Sequence, residues 1–407
     1  MRMKRYRYLI LFALMFIQCS TDDADEINLN LAEEEIFDNK DSSLASNNDS
    51  TLTEQEATPD SGNSNTTISF EHKEMLINWA DNIILPSLTD LEFSLNQLNE
   101  KATLFVNTPS NDNLLVLRES WLNSFLKWQH VEMFDLGYAE EIYYKNRLNL
   151  YPTNIERIED NISSLDYDLN QSYNFSSQGF NGLDYMLFGI GQDDDEIVSK
   201  YLAEDLNYDK YLIDLIDKMV ELTLAVKNSW NDEFRESFIN SIDNTSTSSI
   251  NTIINDFVYY FEKGFRANKI GIPAGVFSNN VLPDRVEAYH GKIYSKLLVT
   301  EASYAIDNFF NGRYYNDNDS SGLSINAYLN FIENDQDEKL AEKINEQLDK
   351  IFAQLDQLDN DLSMQVVENN LSMLSTYDVI QVNVVLLKVD MLQKLNINVD
   401  YADADGD

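Results

Sequence analysis

From residue 69 to near residue 395 of this 407-residue chain, apolar side chains return every three or four positions with few interruptions. Met75, Leu76, Trp79, Ile83 and Ile84 form one such stripe, which Pro86 kinks or breaks before Leu88, Leu91, Leu95 and Leu98 resume it. That spacing matches the turn of an α-helix and predicts an amphipathic one. A helix over 114–136 is expected to carry Leu117, Trp121, Phe125, Trp128 and Glu132 along one face. Ile250, Ile253, Ile254, Phe257, Val258 and Phe261 repeat the pattern behind the cap-forming Ser248 and Ser249. Leu340, Ile344, Leu348, Ile351, Leu355 and Leu358 repeat it again, and a last long helix is expected over 366–395. No alternating pattern of comparable length competes. With 13 Gly and 6 Pro, the chain also lacks the turn residues of an all-β fold. The expectation is an all-α protein of about seven to nine helices in two antiparallel bundles.

The two ends carry a different message. Arg2, Lys4, Arg5 and Arg7 precede an apolar run from Leu9 to Ile17, and the run stops at Cys19, the sole cysteine. The run is too short to span a bilayer as a stable helix and reads as a signal peptide over 1–18. A lone thiol at its end reads as the lipidated residue of a bacterial lipoprotein, with an uncleaved membrane anchor as the alternative. Either way the body lies outside the cytoplasm, in the cell envelope. A lipid on Cys19 makes the outer membrane the partner surface, facing either the periplasm or the cell exterior. Residues 19–68 are rich in Asp, Glu, Asn, Ser and Thr and cannot bury enough apolar surface to order themselves. They read as a disordered acidic tether that holds the body about 40 Å from the membrane. Asp22 and Asp23, just after Cys19, are similar to a surface-export signal, though an ordinary acidic linker accounts for them equally well. With 29 basic against 70 acidic residues, net charge −41, nucleic acid is repelled and leaves the partner list.

Within the body, the apolar stripe is lost between 228 and 248, and this places a boundary between domains at 69–235 and 236–407. GIPAGVFSNNVLPD, residues 271–284, is the clearest non-helical insertion, and GRYYNDNDSSG, 312–322, reads as a surface loop.

Several of these segments, in their order, resemble the imelysin family of bacterial cell-envelope proteins. The carriers are WLNSFLKWQHVEMFDLG (121–137), NRLNLYPTNIERIEDNI (146–162), GFNGLDYMLFG (179–189) and KIGIPAGVFSNNVLPDRVEAYHGKIYSKLL (269–298). The resemblance implies two four-helix bundles related as a pseudo-repeat, with a functional cleft between them. The third segment falls where the family has a G-x-H-x-x-E motif. Family members have been assigned metallopeptidase activity, and others are iron-regulated and thought to bind or take up metal; neither property transfers with the fold alone.

The motif is altered here. Asn181 stands in place of the histidine and Asp184 in place of the glutamate. Residues at i and i+3 project to one side of a helix, where His and Glu could share a transition metal. An Asn/Asp pair suits a hard, hydrated cation such as calcium instead, or a hydrogen-bonded interface without metal. Read as exposed, Asp184 is fully ionised and too weak a base for peptide hydrolysis. No H-E-x-x-H signature occurs.

The resemblance adds Glu132 and Arg147, read as lining the cleft or pairing with each other. It also adds Arg266, Lys269 and Glu287 of the later segment as candidates for the same cleft. His290 follows Glu287 by three, an E-x-x-H pair that could bind metal or simply sit at the surface. His72 reads as a surface residue, and His130 is out of phase with Glu132. The acidic tail 400–407 opens like a calcium loop but stops before its bidentate Glu, and reads as solvated. The ligand and metal candidates are therefore Asn181, Asp184, Glu132, Arg147, Glu287 and His290, with iron or calcium as the implied metals. The function these readings favour is a non-enzymatic envelope lipoprotein that binds a ligand or metal between its bundles, serving metal acquisition beside an outer-membrane transport system. A metallopeptidase, and an interaction module with a degenerate site, are its rivals.

Overall fold

Helix α1 opens at His72–Ile77, passes through a π-helical turn at Asn78–Ile84 and runs on as Leu85–Asn107. Pro86 neither breaks nor ends it. Lacking an N–H, Pro86 leaves the carbonyl of Asn82 without its helical donor, and the Tyr315 N–H takes that place at 2.8 Å. The computed structural model describes residues 69–399, apart from positions 204, 232, 244 and 334–338. The signal-like segment, Cys19, the tether and the tail from Asp400 lie outside the described residues. Among the described residues no helix is long and apolar enough to cross a membrane.

Ser110 caps α2 (Asn111–Gln129), accepting the Asn113 N–H at 3.2 Å. The expected helix over 114–136 thus stops early. After Gln129 the chain tightens, with the His130 N–H reaching back only to Lys127, so Glu132 leaves the helix and sits in the turn beyond it. Short helical turns at Tyr138–Glu141 and Tyr144–Leu148 follow, then α3 (Ile155–Ser164), capped by Asn154. Next come α4 (Gly179–Asp184, continuing as a π turn Tyr185–Gly189), α5 (Asp194–Leu202), α6 (Tyr208–Asn231) and α7 (Glu233–Asn240). The 228–248 stretch is therefore largely helical, and Trp230, Phe238 and Ile239 in it are buried.

In the second half, α8 runs Ser249–Tyr259 and continues as a π-helical stretch, Tyr260–Gly271. Turns carry the chain through the 271–284 insertion, as its prolines and glycines require, to α9 (Ser295–Asn311). The expected loop at 312–322 is a small hairpin, β1 (Arg313–Tyr314) against β2 (Asp317–Ser321). Helices α10 (Ile325–Glu333), α11 (Leu340–Leu355), α12 (Leu362–Glu368) and α13 (Asn370–Val385, extending through Leu386–Met391 to Leu392–Leu395) complete the body. The single helix expected over 366–395 is two, because Asn369 steps out of helical geometry at φ −148°.

The described residues form one compact unit. Within it α1 packs against α2 and α6, while α8, α11 and α13 pack together with α9 alongside. Contacts between α2 and α9 join the two groups of helices. Phe309 of α9 lies at that junction, its ring 5.2 Å from Trp79, 5.3 Å from Phe134 and 5.2 Å from Phe257. Beside it Phe125 and Phe180 stack at 4.5 Å, and the Trp121 indole donates to the Phe180 carbonyl at 3.1 Å. Burying side chains of this size stabilises the fold by about 1.5–3 kcal/mol each.

Candidate functional site

Gly179 starts α4 in the left-handed region, φ +71°, where a Cβ would stand 2.3 Å from the Leu148 carbonyl oxygen. The close approach seats the helix start on the 147–149 segment. It also turns Asn181 and Asp184, three residues apart on one face, toward residues 288–291.

Both side chains are buried, and both hold main chain. The Ala288 N–H donates to Asn181 Oδ1 at 3.1 Å. The His290 N–H donates to Asp184 Oδ2 and the Gly291 N–H to Oδ1, each at 2.7 Å. At Gly291 a Cβ would come within 2.9 Å of Asp184 Oδ1, so only glycine allows that approach. The expectation of an exposed Asp184 is therefore corrected: the residue is buried, and the pair forms a hydrogen-bonded interface with main chain. Burial pushes its carboxyl up to about 7, against the pull of the two N–H donors. The side chains of Tyr151, Pro152 and Tyr289 help close a cavity of about 120 Å³ over Asn181 and Asp184.

The other end of the Asn181 amide leads inward. Its Nδ2 donates to Asn149 Oδ1 at 2.7 Å, and Asn149 Nδ2 donates to both Glu132 Oε1 (2.6 Å) and Glu287 Oε1 (2.7 Å). Lys269 closes the cluster, with Nζ 2.7 and 2.8 Å from the two Glu287 oxygens and 3.2 Å from Glu132 Oε2. The Tyr260 hydroxyl donates to Glu132 Oε2 at 3.2 Å, and Gln129 Nε2 reaches Glu287 at 3.4 Å. Two carboxylates thus surround one ammonium where Lys269 and Glu287 are almost fully buried. Burial raises the Glu287 pKa, with Lys269 opposing it and Glu132 adding to it. Burial works against the Lys269 charge, but Glu132 and Glu287 outweigh it and hold the ammonium's pKa above the ordinary range. Gln129 Oε1 is buried without a hydrogen-bond partner.

Five of the six candidates from the sequence meet here. Asn181, Asp184, Glu132 and Glu287 belong to the network, and His290 enters through its main chain. Its imidazole packs edge-on against Tyr185 at 5.2 Å, and burial, helped by the Lys292 charge, lowers its pKa to about 4. Glu287 and His290 diverge, one to Lys269 and the other to Tyr185. Arg147 does not join Glu132; it donates to Asn170 at 2.8 Å and lies over the Phe175 ring at 5.6 Å. Arg266 faces the other way, toward Tyr377 at 2.7 Å and Gln381. His130 lies 2.6 Å from Glu301, and His72 packs edge-on against the Phe70 and Tyr328 rings. Among the described residues no three His, Cys, Asp or Glu side chains converge to hold a metal ion. Sequence reasoning missed Asn149, Gln129 and Tyr260. The one available signal was a second asparagine in NRLN, just before the Tyr-Pro pair.

The raised Asp184 pKa has a sign that can be checked. Between about pH 4 and 7 the folded state keeps a proton that the unfolded chain releases, so stability contributed here falls as pH rises through that window and is flat above it. His290, held neutral, works in the opposite direction from about pH 6.5 down to 4. In urea unfolding across pH 4–8, the stability difference between wild type and Asp184→Asn should shrink as pH rises to 7. A constant difference would place the carboxyl in the ordinary range.

The family model described as Imelysin matches residues 84–381. No curated protein sequence matches significantly. Among solved structures, the fold resembles that of an imelysin-like protein from Psychrobacter arcticum 273-4, with a TM-score of 0.64 at 18% identity over 82% of this chain and 98% of that one. It also resembles a protein described as an iron-regulated protein A precursor from Parabacteroides distasonis ATCC 8503, with a TM-score of 0.66 at 15% identity over 81% and 97%.

Proposed function

The chain belongs to the imelysin family, and on that premise we propose that it is a non-enzymatic binding protein of the cell envelope. In this reading Cys19 carries a lipid anchor in the outer membrane, and the body holds a small ligand or hydrated metal ion where its two groups of helices meet. It serves metal acquisition beside an outer-membrane transport system. The observation that carries the reading is how the motif pair is engaged. Both Asp184 oxygens and both ends of the Asn181 amide hold other parts of the protein, so the pair acts as a joint beneath the cavity rather than as a free attacking base.

Iron enters the reading through the name of the Parabacteroides relative. The cavity over Asp184 has room for about four waters, so a cation there would keep only part of its hydration shell. The test is calorimetric titration of the purified full chain with iron, zinc and calcium chlorides. Saturable binding of one of them is expected, with Asp184→Asn weakening it about tenfold, roughly 1.4 kcal/mol. No heat with any of the three removes metal from the reading.

One observation favours a hydrolytic alternative. A carboxyl with a pKa of about 7 on a cavity wall is in the range suited to acid–base catalysis. Chelator-sensitive cleavage of unfolded casein, abolished by Asp184→Asn, would establish it.

A further inference from the structure

Helix α13 is apolar on two sides. Its inner side, with Met373, Ile380, Val384 and Leu387, is buried where the helix packs against α11 and the π-helical stretch after α8. Its outer side repeats at 371, 375, 378, 382, 385 and 389, alternating steps of four and three, which is the seam of a helix that lies along another helix. Four of those six positions are apolar and open to solvent: Leu371 is 72% exposed, Val382 49%, Val385 46% and Val389 54%. Neighbouring α11 shows the ordinary case, with Glu342, Lys343, Glu346, Asp349 and Lys350 on its solvent side. In a chain with 24% charged residues, the outer seam of α13 carries only Asp378.

The two ends of the seam differ in shape. At its start the loop 274–281 lies alongside, held by Asn370 Nδ2 donating to the Ala274 carbonyl at 2.9 Å, and Leu371 projects there as the most exposed large apolar side chain among the described residues. At its end the chain turns at Asn396 (φ +57°), and the segment 396–399 with Val385, Val389 and Leu392 borders an open hollow of about 660 Å³. At 1.5 Å per residue, Leu371 stands about 19 Å from the point midway between Val382 and Val385, and Asn396 in the hollow stands about 19 Å to the other side. The surface therefore carries a knob and a hollow at equal distances from one centre, which is what pairing with itself about a two-fold axis requires.

We propose that α13 pairs antiparallel with α13 of a second copy of this chain, forming a symmetric dimer. Val382 of each copy lies against Val385 of the other, and Leu371 of each enters the other's hollow. Asp378 comes within one residue of Lys388 of the other copy, a cation held on Glu262 at 2.9 Å, so the single acid of the seam sets the register. From Leu371 to Val389 the seam is about 27 Å long, and a helix laid in it beside the loop and the segment 396–399 covers on the order of 600–800 Å² per copy, the size a stable dimer needs. With a formal net charge of −41 the two bodies repel at long range, so apolar burial holds the pair and salt tightens it. The proposal is independent of ligand binding over Asp184, since it uses a different surface.

The experiment is sedimentation velocity on the purified full chain from about 2 to 200 µM, with Cys19→Ser throughout to exclude disulfide or lipid links between copies. A reversible monomer–dimer equilibrium is expected. Raising NaCl from about 0.05 to 0.5 M should tighten it at least threefold, because screening removes the repulsion and leaves apolar burial in place. Val385→Glu should weaken the dimer at least a hundredfold and Leu371→Asp at least tenfold; the latter side chain is so exposed that its replacement leaves the core undisturbed. Leu104→Glu, a like change at an exposed leucine of α1, should leave the dimer as it is. The proposal is overturned if the chain sediments as a monomer throughout, or if Val385→Glu and Leu371→Asp dimerise as the parent chain does. It is equally overturned if salt weakens the dimer, which would mark an ionic contact elsewhere.

Discussion

Replacing Lys269 by Met is expected to lower the free energy of unfolding by about 3–5 kcal/mol. The methionine fills a similar volume, so the loss comes from charge. With the ammonium gone, Glu132 and Glu287 face each other across Asn149 with no cation between them. Glu287 is drawn from water and has no route to solvation without opening the junction, and Glu132 is mostly withdrawn beside it. The loss is a large share of the roughly 5–15 kcal/mol that holds a domain together. Urea unfolding followed by tryptophan fluorescence measures it. A companion variant separates charge from packing: Lys269→Met with Glu287→Gln removes the ammonium together with one carboxylate and should recover at least half of the loss. If the double variant is as unstable as the sum of its singles, the cluster is not coupled as described.

Gly179→Ala is expected to cost about 3 kcal/mol or more, even though it adds a single methyl group. Two penalties act together. The residue sits at φ +71°, a conformation that an L side chain enters at a cost. The new Cβ would also press on the backbone carbonyl of Leu148, which cannot rotate away as a side chain would. Asn149, the adjacent residue, bridges Glu132, Glu287 and Asn181, so any shift in the backbone there propagates into the cluster. A melting temperature within one degree of wild type would refute this account. Gly182→Ala serves as the control: a Cβ there meets the Ser177 carbonyl at 3.1 Å, and its φ does not lie in the left-handed region.

Most of the helices were legible from the sequence because apolar spacing is a local signal that survives without tertiary context. Ser110, Asn154 and Ser248 cap helices for the same local reason. Their ends were less legible. The stripe Leu117–Trp121–Phe125–Trp128–Glu132 keeps its period past Gln129, but the chain departs from the helix there, and nothing in the apolar pattern marks the change. Pro86 was legible in part: the helix leaves π geometry just before it and then continues, because Tyr315, over two hundred residues away in sequence, supplies the donor that proline lacks.

The site divides in the same manner. Asn181 and Asp184 could be placed on one face from their spacing alone. Their burial could not be read off, and with it went the raised pKa of Asp184. Arg147 and Glu132 looked like natural partners by charge, but the cation that balances Glu132 is Lys269, contributed by the other half of the chain.

The grip of Asn181 and Asp184 on residues 288–291 also bears on how this protein can drift over generations. It contacts peptide N–H groups, which every residue except proline supplies. The half-exposed side chain at 289 can therefore be rewritten by mutation without loosening the hold, whereas Ala288, fully buried at φ +56°, and His290, packed on Tyr185, are constrained by their own surroundings; the contact itself depends on two positions in α4 and on the bare Cα of Gly291. Lineages could alter what the neighbouring surface recognises while the joint beneath it stays as it is.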